Sequence, residues 1–272
     1  MVIAPKACAQ KSKLLPLDAI RCKTLKIKHM IIISAGMQKS GSAYIYNLIN
    51  DILISSGKPD AREVKEKNGL NDVMKWHNNN VGHLGKKLLT KLILLSLKEG
   101  TFTVKTHSGP TGFQKILHRI GLIKTIYIYR DPRDVLLSAQ DHGKKIIAAG
   151  DNHTFAQMID FDDAFNNVKV WTNIFNSYKK ANNVLLIRYE DLMGAPIKEM
   201  QKICSYLNVN LSEKKIKEIL AKYDRGNPNA NMTGLHFNKG ITNRYKTELT
   251  QPQMDRFITD LGSVIEKMGY DK

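Results

Sequence analysis

Three stretches of this 272-residue sequence concentrate side chains that bind anions and move protons. The first, Gly36-Met37-Gln38-Lys39-Ser40-Gly41-Ser42-Ala43-Tyr44, follows the apolar run 30–33 and leads into a helical run at 45–54. A glycine loop between strand and helix aims backbone N–H groups and the helix dipole at one spot, and Lys39 adds a full charge, so the loop suits an oxyanion. A nucleotide triphosphatase loop reads G-x-x-x-x-G-K-[ST]; Gly36 and Gly41 keep that spacing, but Ser42 stands where the lysine belongs. A plain strand-to-helix turn is the other reading of the same residues. The second stretch, 129–138, places Pro132 where a first helical turn needs no N–H, and Ser138 about two turns further on. Its Arg133 and Asp134 read as structural, pairing with neighbours and favouring the helix start. The third, Val104-Lys105-Thr106-His107, carries an imidazole, whose unperturbed pKa of about 6.5 lets it accept a proton near neutrality. His142 is a second candidate for that role. Glu190 and Asp191 are adjacent carboxylates that point different ways, with no histidine nearby in sequence, so no metal site is expected there.

Positioning these groups requires a scaffold that brings loops together. Four short runs, 30–33, 101–104, 125–129 and 184–187, are apolar without alternation, as in strands buried on both faces. The stretches between them are long enough for crossover helices, which predicts an α/β fold: a three-layer arrangement with a central, mostly parallel sheet flanked by helices. Ligands bind such sheets at the C-terminal ends of the strands, and the segments 34–42, 105–110, 130–138 and 188–192 follow the four runs directly. Helix-like apolar spacing marks 43–56, 154–180 and 196–207. No repeat or linker divides the chain, so 29–272 is expected to form a single domain behind a basic extension, 1–28.

Composition narrows the partners. With 42 Lys and Arg against 25 Asp and Glu, the formal net charge of +17 favours anionic ligands or surfaces. Aromatic residues are not interleaved with this charge as a nucleic-acid platform requires, so no nucleic acid is expected. Cys8, Cys22 and Cys204 are scattered and form no C-x-x-C pair, which fits a reducing compartment and a cytoplasmic location. The longest apolar stretch, near 88–97, is interrupted by Lys91 and is shorter than the ~20 residues a bilayer span needs, so no integral membrane segment is expected. Residues 1–28 carry seven Lys and Arg against Asp18 alone and lack a secretory apolar core; a transit peptide or a surface arm fits them.

The order of these motifs resembles that of sulfotransferases dependent on 3′-phosphoadenosine 5′-phosphosulfate (PAPS). Lys39-Ser40-Gly41-Ser42 is similar to that family's 5′-phosphosulfate loop, K-S-G-T-T-W, with Ala43 for the second Thr and Tyr44 for the Trp. The resemblance implies that Lys39 acts on the leaving group, that Ser40, Gly41, Ser42 and Ala43 hold the 5′-phosphate, and that Tyr44 stacks on adenine. Arg130 and Ser138 match the pair that binds the 3′-phosphate in the family. Lys105-Thr106-His107 matches its K-T-H segment, which implies His107 as general base and Lys105 as a support for the transferring group. Tyr189-Glu190-Asp191-Leu192 resembles a family segment whose tyrosine contacts the nucleotide. Lys239 and Gly240 match the closing loop R-K-G-x-x-G-D-W-K, whereas Asn238, Asn243, Arg244 and Tyr245 depart from it. Lys246, Thr250 and Asp255 imitate a family dimer motif too loosely to specify an oligomer.

The resemblance covers about 30–260 and implies a P-loop-like fold and in-line transfer of a sulfuryl group from PAPS to an acceptor hydroxyl or amine. The 3′-phosphoadenosine 5′-phosphate (PAP) leaves, and no metal is needed. Two alternatives stay open: a degenerate P-loop phosphotransferase, and a non-catalytic protein that binds nucleotide or polyanion. The regions expected to shape the acceptor pocket, 60–90 and 143–160, carry no interpretable motif.

Overall fold

A computed structural model of the chain describes residues 29–151, 153–181, 183–224, 226 and 240–271. The expected basic extension, with Cys8 and Cys22, lies outside the described residues, as does Lys239. Five parallel strands, β1 (Ile31–Gly36), β2 (Asn80–Val81), β3 (Phe102–Thr106), β4 (Ile123–Tyr129) and β5 (Val184–Arg188), form one sheet in the order β2-β3-β1-β4-β5. Four of them are the apolar runs read from the sequence. The fifth, β2, is two residues long and sits on the edge of β3, with Asn80 level with Lys105 and Val81 with Thr106.

Helices cover both faces. After β1 come α1 (Ser42–Ser55) and α2 (Ala61–Lys67); α3 (Lys86–Glu99) joins β2 to β3, and α4 (Gly112–Arg119) joins β3 to β4. Between β4 and β5 lie α5 (Pro132–Ala148), a single 3₁₀ turn (Thr154–Gln157) and α6 (Phe161–Lys179). The remainder is α7 (Tyr189–Gly194), α8 (Pro196–Leu207), α9 (Glu213–Ala221), α10 (Tyr245–Glu248) and α11 (Gln251–Lys267). The helical run expected at 154–180 is therefore two elements: the chain breaks at Met158, and Asp160 stands at the N-cap of α6 with Asp162 and Asp163 in its first turn.

Strand side chains alternate between the two layers and both layers bury them, so that even Ser34, Thr103 and Thr125 are out of contact with solvent. Ile31, Ile33 and Ala35 of β1 face a core with Leu89, Leu92, Phe165, Phe175 and Phe257, whereas Ile32 packs with Ile45, Leu48, Ile49 and Ile203 on the other side. Each such isoleucine contributes about 1.5–3 kcal/mol by its burial.

Register decides where the chemistry lies. Ala35 is level with Thr106 and Gly36 with Ile128, so the loops after β1, β3 and β4 emerge together at one edge of the sheet. The crossover from β1 runs toward β2 and that from β4 toward β5, making the crevice between them the topological switch point where such sheets bind ligands.

Candidate active site

The loop after β1 is built to leave N–H groups free. Met37 N–H donates to the Ile128 carbonyl at 2.9 Å, and the Ser40 hydroxyl, fully buried, donates to the Met37 carbonyl at 2.5 Å with the Ile128 carbonyl 3.3 Å away. Ser40 thus staples the loop to β4, and its hydroxyl is off the cleft wall; the hydroxyl contact to a phosphate expected of it is taken up inside the loop. Gly41 has φ 79° and lies so close to Tyr189 that a Cβ would meet the ring at 2.9 Å. As N-cap of α1 it has no side chain to occupy the first N–H groups of that helix, and no acid sits in the first turn. Those donors face an incoming anion unblocked.

Lys39 adopts φ 62°, a left-handed conformation that is costly for a side chain other than glycine, and its ammonium sits 5.2 Å above the Phe155 ring. Burial, then the nearby charges of Lys145 and Arg130, lower its pKa to about 8. The Phe155 turn that supports it approaches α5 at Gly143, where a Cβ would stand 2.3 Å from the Phe155 carbonyl oxygen, so only glycine fits.

At the end of β3, Lys105 Nζ lies 2.6 Å from His107 Nε2 and 3.2 Å from Asn80 Oδ1. His107 Nδ1 lies 2.7 Å from the Gly36 carbonyl oxygen. A carbonyl only accepts, so Nδ1 carries the proton and Nε2 presents its lone pair. Burial first, then the charge of Lys105, push the His107 pKa down to about 3, and burial pushes that of Lys105 down to about 7. The imidazole is neutral at physiological pH.

On β4's side, the Arg130 guanidinium donates to Asp134 Oδ2 at 3.1 Å and to the Ile241 carbonyl at 2.6 Å, while its buried Nε has no partner among the described residues. Asp134, fully buried, also accepts from the Asn243 and Tyr245 N–H groups at 2.8 and 3.2 Å, which fastens the closing segment to α5. Arg133 holds Asp131 through two side-chain bonds of 3.0 and 2.8 Å and stacks 3.8 Å from the Tyr245 ring. Both residues read as structural in the sequence therefore work in the scaffold. Arg244, which departs from the family pattern, pairs with Asp141 at 2.9 Å and with Glu248 at 2.7 Å. Glu190 accepts from the Tyr270 hydroxyl at 2.6 Å, and Thr250 begins α11 with a capping box. Among the described residues no group of three or more His, Cys, Asp or Glu is arranged to hold a metal ion.

These elements enclose a cleft of about 930 Å³. Lys39, Gly41, Ser42, Ala43, Tyr44, Lys105, His107, Arg130, Ser138, Tyr189 and Gly240 line it; Ser40 does not. His142, the second imidazole, is on the wall too, edge-on to Phe155. Away from the loops, the wall is largely aromatic and amide: Trp76, Asn80, Phe155 and Trp171, with Ile146 and Met158. All but Trp171, which lies on α6, fall in the regions without motifs, and nothing in the local sequence marks any of them as cleft wall.

The family model for the sulfotransferase domain matches residues 28–269. The chain belongs to the sulfotransferase family. This sulfotransferase is 24% identical over 258 residues to Sulfotransferase 2A2 of Rattus norvegicus, covering 87% of this chain and 84% of the rat protein. It is 26% identical over 159 residues to the amine sulfotransferase of Oryctolagus cuniculus, covering 49% of this chain and 52% of that protein. Its fold is similar to retinol dehydratase in a complex with retinol and PAP, with a TM-score of 0.57 at 17% identity over 88% of this chain and 82% of that one. A mouse sulfotransferase complexed with PAP gives a TM-score of 0.54 at 17% identity over 88% of each chain. The five-stranded parallel sheet flanked by helices is thus the sulfotransferase fold, with its P-loop-like glycine loop after the first strand.

No helix among the described residues is long and apolar enough to cross a membrane.

Proposed function

We propose that this sulfotransferase binds PAPS across the β1–β4 crevice and passes its sulfuryl group to a hydroxyl or amine whose proton goes to His107 Nε2. The observation that carries the reading is the disposition of His107: its tautomer is fixed by the Gly36 carbonyl, and Nε2 faces the cleft beside Lys105. The uncapped N-terminus of α1, with Gly41, Ser42 and Ala43, would hold the 5′-phosphate, and Tyr44 would stack on adenine. Arg130 Nε, buried and without a partner among the described residues, and the Ser138 hydroxyl would take the 3′-phosphate. Tyr189 supports both ends, lying against Gly41 and under the Arg130 guanidinium at 4.7 Å. Gly240 begins the described part of the closing segment, and Lys239, which precedes it in the family motif, is proposed on that resemblance alone as a nucleotide contact.

These placements support an in-line transfer. The anionic sulfuryl group draws the Lys105 ammonium off Nε2, freeing the lone pair for the acceptor O–H or N–H. As that proton transfers, the acceptor atom bonds to sulfur, the bond from sulfur to the bridging oxygen breaks, and PAP departs with the electron pair. Lys39 stabilises the charge that collects on the bridging oxygen. No step calls for a metal ion. The aromatic wall supports an acceptor with a flat apolar body. The scattered cysteines support a cytoplasmic setting, and 29–272 acting as one domain is part of the same reading.

Calorimetric titration with PAP, without magnesium and beside ATP, tests the donor site. Micromolar binding that prefers the 3′-phosphorylated nucleotide is expected, weakened about 10- to 100-fold in Arg130→Ala, as for loss of a charged hydrogen bond. Lys39→Ala is expected to weaken it as well. A magnesium-dependent preference for ATP would point instead to a phosphotransferase.

The pH dependence has a defined sign. His107 is already neutral above about pH 3, so no loss of its base form is expected on the acid side of neutrality. Lys105 and Lys39, with pKa values of about 7 and 8, lose their charge as pH rises, so kcat/KM for the donor falls across that interval. Bound donor raises both lysine pKa values, and the decline in kcat moves to higher pH. A kcat/KM that instead rose through about 6.5, the ordinary histidine value, would contradict a neutral His107.

A further inference from the structure

The wall of the cleft accounts for only a small part of the surplus positive charge, and a second concentration of it lies on α3 and α4. These helices belong to one layer of the fold, and Lys86 of α3 reaches 5.9 Å over the Phe113 ring of α4. Between them they carry Lys86, Lys87, Lys91, Lys98, Lys115 and Arg119 against a single acid, Glu99, which is held by Lys67 and Lys98. Lys87, Lys91, Lys115 and Arg119 are exposed and enter no ion pair among the described residues. Interspersed with these cations are large apolar side chains turned to solvent: Leu94 is 61% exposed, Leu97 57%, Ile116 56% and Ile120 51%. On α3 the positions 87, 91, 94 and 98 form one helical stripe of three lysines and Leu94, on the face opposite the buried Leu89, Leu92 and Ile93.

We propose that the α3–α4 face docks this protein on the surface of an anionic lipid bilayer. Neither half of the pattern suffices alone. Exposed aliphatic side chains interspersed with lysine and arginine, with a single carboxylate among them, match a surface that offers hydrocarbon a few ångströms beneath negative headgroups. The charge on these two helices gives the occupant its sign, and the four exposed aliphatic side chains require that it also accept hydrocarbon. The attachment is peripheral, since no described helix can span a bilayer. Orientation adds a consequence. α3 joins two parallel strands and so runs back against them, which puts its Lys86 end at the edge from which the site loops emerge. The adjoining Gly82, and Trp76 at 66% exposure, line the cleft, so the docking face starts beside the cleft's mouth.

The test is co-sedimentation of the full-length protein with vesicles of phosphatidylcholine alone and with roughly 30% phosphatidylserine. Wild type is expected to pellet with the anionic vesicles and to stay in solution with the neutral ones. Leu94→Ser with Ile116→Ser, and separately Lys87→Gln with Lys91→Gln, are expected to reduce partitioning roughly tenfold or more. Lys198→Gln with Lys214→Gln removes the same two charges from α8 and α9 in the other layer and is expected to bind like wild type, all variants melting alike. Equal loss in the control would mean that net charge alone drives binding, and unchanged binding in both face variants would place it elsewhere, as in 1–28; either result overturns the proposal. So would absence of vesicle binding, including the case where sedimentation velocity shows a dimer that Leu94→Ser with Ile116→Ser dissociates.

Discussion

Replacing His107 with alanine is expected to lower kcat by about 10²- to 10⁴-fold while PAP binding stays near the wild-type value. The expectation rests on position and not on titration. The ring lies outside the loop and arginine contacts that would hold the nucleotide, so its removal leaves the donor's partners in place. What disappears is the lone pair at Nε2, the neutral acceptor set 2.6 Å from Lys105 in the wall of the cleft. Single-turnover measurement separates the chemical step from product release and would show the loss directly. If His107→Ala retained activity within tenfold, His142, which lines the same cleft, would take over as the base.

Arg133→Met is expected to destabilise the fold by about 3–5 kcal/mol, because it strands a buried carboxylate. Asp131 is 3% exposed and receives both side-chain bonds and one backbone bond from Arg133, whose guanidinium also reaches the Asp271 carbonyl at 2.7 Å. One side chain therefore ties the start of α5, the Tyr245 ring and the C-terminal end together. A fall in Tm of roughly 6–20 °C follows for a chain of this size. The companion Arg133→Met, Asp131→Leu variant removes both charges and is expected to recover much of the loss, which a simple packing defect would not allow.

Much of this architecture was legible because burial on both faces writes itself into sequence. The runs at 30–33, 101–104, 125–129 and 184–187 are short and rich in β-branched, aliphatic and aromatic residues, and all four fall on strands of the sheet; their threonines Thr101, Thr103 and Thr125 are buried as well. β2 left no such trace: it is two residues long, one of them Asn80, and exists because β3 offers an unpaired edge. The break at Met158 was marked by Asp160, Asp162 and Asp163, an N-terminal signal that the apolar spacing across 154–180 obscured. In the site, residues in loops directly after strands could be grouped because parallel strands deliver their loops to one edge. Trp76, Phe155, Trp171 and Arg244 come from separated segments and meet only through tertiary packing. Ser40 shows the complementary limit, since its place in a loop motif says nothing of which way a hydroxyl turns; burial and the Met37 and Ile128 carbonyls decided that.

The hydrogen bond between His107 and Gly36 has a bearing on how such a site tolerates change. In many acid–base pairs the imidazole is oriented by a carboxylate side chain, which a single codon change deletes. Here the orienting group is a peptide carbonyl at the end of β1, present whatever residue occupies the position. The proton on Nδ1 is consequently held by the backbone, and the vulnerability shifts to whatever moves β1 relative to its neighbours, including a side chain at Gly36 itself, whose Cβ would stand 2.7 Å from the Ile128 side chain. The imidazole is thus aimed by the pairing of two central strands, level from Ile31 with Phe102 to Ala35 with Thr106, and not by any single side chain.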